Sequence, residues 1–387
     1  MKRLGCIAII LFVLGTSTIV HGQTASKPRA RTLGIPFEGT PGRLNAITDV
    51  KGVAVGHATI IEREGGNTPR TGVTAVLPEN VRNGLFASTF VLNGNGEWIG
   101  TIYIEETGYL YSPIMLTNTI SVGTVRDAVV KWSRQAYGSE QAVNLPVVGE
   151  TWDGFLNDIY GFHVKEKHVF EALNGAGTGL IAEGNVGGGT GMKCYQFKCG
   201  IGTSSRVIRK ERGGYTVGVL VQANFGIRRD LRVAGIPIGD EFLELMPEEK
   251  TRTNGDSSIL IVVATDAPLL PHQLKRVAKR AALGLARNGS IADTDSGDIV
   301  LAFSTATTNA FVPKGQSTGN ANTSSTMFLQ EPSLDKIFEA TVQATEEAIV
   351  NALVAGETMV GVNGNRVYAI PHDKLREVLG RYNRLQK

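Results

Sequence analysis

Histidine, cysteine and clustered charge are all scarce in this 387-residue chain, which holds six His, three Cys and a formal net charge of +3. The histidines stand at 21, 57, 163, 168, 272 and 372. Apart from a loose His163-x4-His168, none pairs with another at metal-ligand spacing beside cysteine or carboxylate, so no metal is implied. The small net charge, with no long Lys/Arg block interleaved with aromatics, excludes nucleic acid as an expected partner. No serine occupies a Gly-x-Ser-x-Gly elbow, which argues against a lipase-like triad. Internal repeats and composition shifts that would mark a linker are missing too. One large domain is therefore favoured.

Glycine, by contrast, is abundant: 47 residues without a collagen-like period, which requires many tight turns or close backbone approaches. The N-terminus is patterned for export. Met1-Lys2-Arg3 is positive, Leu4 to Leu14 is apolar, and Val20-His21-Gly22 offers small residues for a signal peptidase. That apolar run is shorter than the roughly 20 residues that span a bilayer, so residues 1–22 read as a cleaved signal and the location as periplasmic or secreted. Residues 23–33 read as a disordered leader, with folding from Gly34. Export would leave Cys194 and Cys199 where a disulfide could persist. On a continuous strand from Met192 to Phe197, however, residues five apart face opposite sides. A bridge would need a turn or bulge, and two free buried thiols are the expectation.

Alternation of apolar and polar residues predicts a hairpin over Ile47–His57 and strands at Thr71–Leu77, Thr89–Asn93, Ser112–Asn118 and Tyr215–Ala223. Helical periodicity predicts Thr124–Tyr137, His272–Arg287, Leu334–Leu353 and Lys374–Leu385, with a last strand or hairpin within Val360–Ile370. Apolar strands with a few amphipathic helices point to a layered α/β fold.

Two motifs invite chemistry and do not complete it. Gly187-Gly188-Gly189-Thr190-Gly191 lacks the Gly-Lys-Ser/Thr ending of a phosphate loop, so close backbone approach explains it better. Ser333-Leu334-Asp335-Lys336 matches the Ser-x-x-Lys of penicillin-recognising enzymes without its companion motifs. Ser333 behind Glu331-Pro332 reads instead as a helix N-cap.

The productive stretch is Asn254-Gly255-Asp256-Ser257-Ser258, a polar turn running into the β-branched strand Ile259 to Val263. Alone, Ser258 is a serine closing a loop. If the bond before it were cut, its hydroxyl and a new α-amine titrating near pH 8 would share one residue, a nucleophile with its own base.

The run from Ser258 through Ala264-Thr265-Asp266-Ala267-Pro268 to Arg276, followed by Ser296-Gly297-Asp298 and Leu301 to Thr305, resembles the DmpA-type aminopeptidases. These include the β-peptidyl aminopeptidases and the L-aminopeptidase/D-amidase/esterases. Agreement continues upstream through Asn45–Val50, Val55-Gly56-His57, Leu116–Thr119, Gly149–Gly154, Gly187–Met192, Gly200–Arg206 and Val221–Gly226, most of the mature chain in order. The resemblance implies a four-layer αββα sandwich like that of N-terminal-nucleophile hydrolases. It also implies self-cleavage between Ser257 and Ser258, into 23–257 and 258–387. Where relatives usually carry glycine or asparagine before the nucleophile, this chain has Ser257. Ser258 would be the nucleophile, Ser296 and Asp298 its proton-handling partners, and Asn224 the oxyanion donor. Glu150 would receive the substrate's ammonium and Trp152 would shape the pocket. The implied substrate is a short peptide, amide or ester with a free amino group, the partner a second copy of the chain in a tetramer, and no cofactor is required. An uncleaved, inactive binding protein of the same fold is the alternative.

Overall fold

The computed structural model describes residues 27–62, 69–139, 143–250, 257–306 and 325–386. The export signal, the start of the leader and the Asn254–Asp256 turn lie outside the described residues.

Two sheets lie face to face. The first contains β1 (Val53–Ile61), β2 (Arg70–Pro78), β4 (Trp98–Ile99), β6 (Ile114–Asn118) and β7 (Val147–Thr151), in the order β1-β2-β6-β7-β4. The second contains β3 (Leu85–Gly94), β5 (Tyr109–Leu110), β10 (Ile201–Val207), β11 (Thr216–Asn224), β14 (Ser257–Thr265) and β15 (Ser296–Ser304), in the order β10-β11-β14-β15-β3-β5. Among the described residues three short hairpins complete the strands: β8 with β9 (Lys193–Cys194, Phe197–Lys198), β12 with β13 (Arg232–Val233, Ile236–Pro237) and β16 with β17 (Met359–Val360, Arg366–Val367). The helices are α1 (Thr101–Thr107), α2 (Val122–Tyr137), α3 (Glu166–Asn174), α4 (Pro271–Arg287), α5 (Leu334–Val354) and α6 (His372–Arg381).

Alternation along the strands sends successive side chains to different cores, and this creates the layers. On β14, Ile259, Ile261 and Val263 join Leu274, Val277 and Ile349 of α4 and α5 on the outer side. Leu260, Val262 and Ala264 meet Leu116 and Val147 of the other sheet. Beyond that sheet, Val73, Ala75, Met115 and Val148 pack on Val125, Val129 and Leu173 of α2 and α3. Three apolar cores between four layers give the αββα sandwich expected. Each buried Val, Leu or Ile contributes about 1.5–3 kcal/mol, so β14, apolar on both faces, is held firmly. Two parallel pairs, β6 with β7 and β14 with β15, are each joined through a helix, α2 and α4, as parallel pairing requires.

Several expectations change. Ile47–Asp49 is a 3-10 turn, and the Val53–Ile61 strand pairs with Arg70–Pro78 rather than folding back on Ile47. The described part of the expected leader, from Lys27, is structured: Ala30–Leu33 forms a 3-10 turn. Arg29 pairs with Glu183 at 2.7 Å, and Arg31 pairs with the buried Glu347 at 2.8 Å. Carboxylates far along the chain hold this segment, which is why its own polar composition misleads. The cysteines are also corrected. Cys194 and Cys199 form a disulfide with Cα atoms 5.7 Å apart. The Met192–Phe197 strand is in fact a hairpin whose central residues Tyr195 and Gln196 both adopt positive φ, 50° and 60°. Such a turn normally uses glycine or asparagine, so the sequence carries no signal for it. Ser333 does occupy the N-cap of α5, without a side-chain cap bond, and Lys336 pairs with Glu339 at the surface.

Candidate active site

Register places the candidate residues together. Ser258 is the second residue of β14, because Ser257 already pairs with Ser296. The parallel ladder sets Ser258 opposite Gly297, and the antiparallel one sets Asn224, the last residue of β11, opposite Ser258. Two strand starts and one strand end thus meet at one edge of the sheet. Ser258, Ser296, Asp298, Asn224 and Glu150 are all buried, between 1% and 4% exposed, so their polar atoms must find partners within the protein.

The Ser258 hydroxyl donates to the carbonyl oxygen of Ser257 at 2.5 Å and accepts the Gly297 N–H at 3.2 Å. On the next strand, Ser296 Oγ donates to Asp298 Oδ1 at 2.7 Å. Burial pushes the Asp298 carboxyl up from 3.8 to about 6; the Ser296 bond opposes this and the charge of Asp293 adds to it. Gly297 tolerates no side chain, because a Cβ would lie 2.5 Å from the Asn95 carbonyl oxygen.

Asn224 is oriented from both ends. Its Oδ1 accepts the Lys193 N–H at 3.0 Å, which directs Nδ2 to the Trp152 carbonyl at 2.9 Å. The β8–β9 hairpin closed by the disulfide is thus one support of this amide. Trp152 meets the cluster through its backbone, while its half-buried indole packs on Phe155, Leu156, Met359 and Val367.

Glu150 comes from the opposite sheet. Its Oε1 accepts the Glu97 N–H at 2.8 Å, and its Oε2 accepts the Thr119 hydroxyl. Gly96 lies between the two halves: a Cβ there would be 3.4 Å from Glu150 Oε1 and 3.3 Å from the Gly297 Cα. Thr119, Gly297 and the Glu97 amide were not singled out in the sequence. Thr119 and Gly297 lie inside stretches that carry the resemblance, whereas Glu97 gave no signal. A serine at a strand start, a hydroxyl–carboxylate pair beside it, an oriented amide and a carboxylate across the gap can support acyl transfer from a substrate bearing an amine.

This layered fold is that of the N-terminal-nucleophile hydrolases, and comparison with known proteins agrees. The model of Peptidase family S58 matches residues 45–367. The β-peptidyl aminopeptidase BapA of Sphingosinicella microcystinivorans is 51% identical over 96% of this chain and 97% of that protein. Among solved structures, a Burkholderia sp. β-aminopeptidase superimposes with a TM-score of 0.84 at 47% identity, covering 92% of this chain and 99% of that one. The L-aminopeptidase D-Ala-esterase/amidase of Ochrobactrum anthropi, described as a variant of the Ntn hydrolase fold, gives 0.85 at 45% identity, with 93% and 100% covered. The chain belongs to peptidase family S58 and is a serine aminopeptidase.

Proposed function

We propose that this aminopeptidase is exported, cuts itself before Ser258, and then releases N-terminal β-, L- or D-amino acids from short peptides, amides or esters. The observation that carries the reading is the Ser258 hydroxyl, held 2.5 Å from the oxygen of the peptide it would cut. In the precursor, Oγ attacks the Ser257 carbonyl carbon; an ester forms as the C–N bond breaks, and the nitrogen takes up the proton. Water then hydrolyses the ester, leaving a carboxylate on Ser257 and a free α-amine on Ser258.

In the mature enzyme that amine takes the hydroxyl proton while Oγ attacks the substrate carbonyl, with Ser296 and Asp298 steering the proton. Asn224 donates to the oxyanion. The leaving amine carries the proton away, and water returns the acyl-enzyme to its resting state. Glu150 holds the substrate's ammonium, which confines cleavage to the first residue because an internal peptide nitrogen is uncharged. The activity in the names of the BapA relatives puts β-amino residues first among the substrates to test. Processed protomers assemble as a homo-oligomer on this reading, to be checked by sizing in solution.

Intact mass and N-terminal sequencing of the purified protein test the central claim. Two fragments are expected, the smaller starting Ser258-Ile259-Leu260. A start at Ser257 would move the nucleophile by one residue. A chain that stays whole would favour the inert binding protein.

Processing should also respond to pH in a defined direction. Before the cut there is no α-amine at Ser258; burial also pushes Asp153, next to Trp152, up to about 7, but the carboxyl bonded to Ser296 is that of Asp298. Its folded value of about 6 lies above the ordinary 3.8, so the carboxylate that accepts the Ser296 hydroxyl exists only above about pH 6. The processing rate of freshly synthesised precursor should fall as pH drops through that value. Asp298→Asn should process slowly and without this step. The stability sign is opposite: a raised acid stabilises the fold when protonated, and that contribution is lost as pH rises through about 6. Asp298→Asn should therefore gain melting temperature relative to wild type at pH 8, compared with pH 4. A processing profile of the same shape in both proteins would remove Asp298 from the proton path.

A further inference from the structure

Gln222 is a fully buried amide in the mostly apolar space between the sheets. It lies two residues before Asn224 on β11 and so projects from the same face as Asn224 and Leu220. Its Nε2 donates to the Thr117 carbonyl at 2.9 Å and to Thr151 Oγ1 at 2.9 Å. Thr117 is the register partner of Glu150, and Thr151 follows Glu150 on β7. One side chain from the sheet of Ser258 thus grips the strand that carries the Glu150 carboxylate and the parallel strand beside it.

The arrangement is unfavourable in one respect. Gln222 Oε1 is buried with no hydrogen-bond donor reaching it among the described residues, and an unpaired buried carbonyl destabilises where a leucine would not. The surroundings are shaped to keep it: a Cβ on Gly188 would lie 2.0 Å from that oxygen. The triglycine segment therefore makes room for this amide. A polar group kept at such a cost is explained by where it holds the strands.

We propose that Gln222 is a positioning residue that sets the distance between Glu150 and Ser258, and so selects whether one or two carbons separate the substrate's amine from its carbonyl. The inference rests on the roles proposed above for Ser258 and Glu150. An extra backbone carbon lengthens the substrate by about 1.5 Å, and close-packed sheets cannot absorb that continuously. One methylene in a fitted site typically discriminates by roughly 10- to 200-fold.

The test compares β-alanine and L-alanine p-nitroanilides on wild type, Gln222→Met and Thr151→Val. The methionine keeps the length and removes both bonds, while the valine keeps the shape and removes one. Only enzyme cut at Ser258 and titrated for active sites enters the calculation, and a substrate below detection enters at its detection limit. The ratio of the two kcat/KM values is expected to shift about tenfold or more in Gln222→Met. Thr151→Val should shift it less, in the same direction, and carries the test alone if the methionine variant does not mature. Equal losses on both substrates, or no loss, would reduce Gln222 to a structural role and overturn the proposal. If wild type hydrolyses neither compound, the failure lies with the reading of Ser258 and Glu150.

Discussion

Ser258→Ala is expected to leave the chain whole and to abolish aminopeptidase activity in the same protein. In the proposed mechanism both steps use one oxygen: Oγ first opens the Ser257–Ser258 peptide and then accepts the substrate's acyl group. The substitution also withholds the α-amine, since an uncut chain has only an amide nitrogen there. Nucleophile and base are lost together, so the fall in kcat/KM should be on the order of 10⁴-fold or more. The fold should survive, because among the described residues the hydroxyl bonds to a neighbouring carbonyl and to the Gly297 amide, while β14 is held by its apolar faces. Far-UV circular dichroism and a melting curve close to those of wild-type precursor would establish this. Ser257→Gly is the paired control. It removes an acceptor of the Gly226 N–H at 3.3 Å and should still cut before Ser258. A Ser258→Ala chain that matures into two fragments would end the assignment.

The strand that carries Ser258 was legible because local signals agreed: turn residues, then an unbroken β-branched run. The layered class followed from similar patterns, since Val125, Val129 and Trp132 on α2 and Leu274, Val277 and Leu285 on α4 do face cores. The meeting of Asn224, Ser258 and Asp298 was not legible from pattern. It depends on two ladders joining residues 34 and 39 positions apart, and a one-residue slip would turn Asn224 into the helical core. Resemblance to relatives supplied that grouping. What neither source supplied was support by backbone and by distant charge: the Gly297 and Glu97 amides, the hairpin turn at Tyr195-Gln196, and the carboxylates of Glu183 and Glu347 that order the leader. These are properties of the folded surface on which a segment lands, so no local composition encodes them.

The substrate's ammonium offers the second large effect, and Glu150→Gln isolates it. The amide can keep its place: its oxygen accepts the Glu97 N–H, and its nitrogen donates to Thr119 once that hydroxyl rotates to accept. Only the charge is removed. Depriving a buried ammonium of its carboxylate costs about 2–5 kcal/mol, which corresponds to a loss of roughly 30- to 5,000-fold in kcat/KM. The loss should be confined to substrates with a free amine. N-acetylated analogues, which give the carboxylate no partner, should be poor substrates of wild type and no worse in the variant. Self-cleavage involves no substrate amine, so Glu150→Gln should still mature before Ser258. That last expectation separates a binding role from general damage to the cluster: a variant that neither matures nor discriminates has lost its architecture. One that matures normally yet keeps the wild-type preference for free amines would show that the ammonium is held elsewhere.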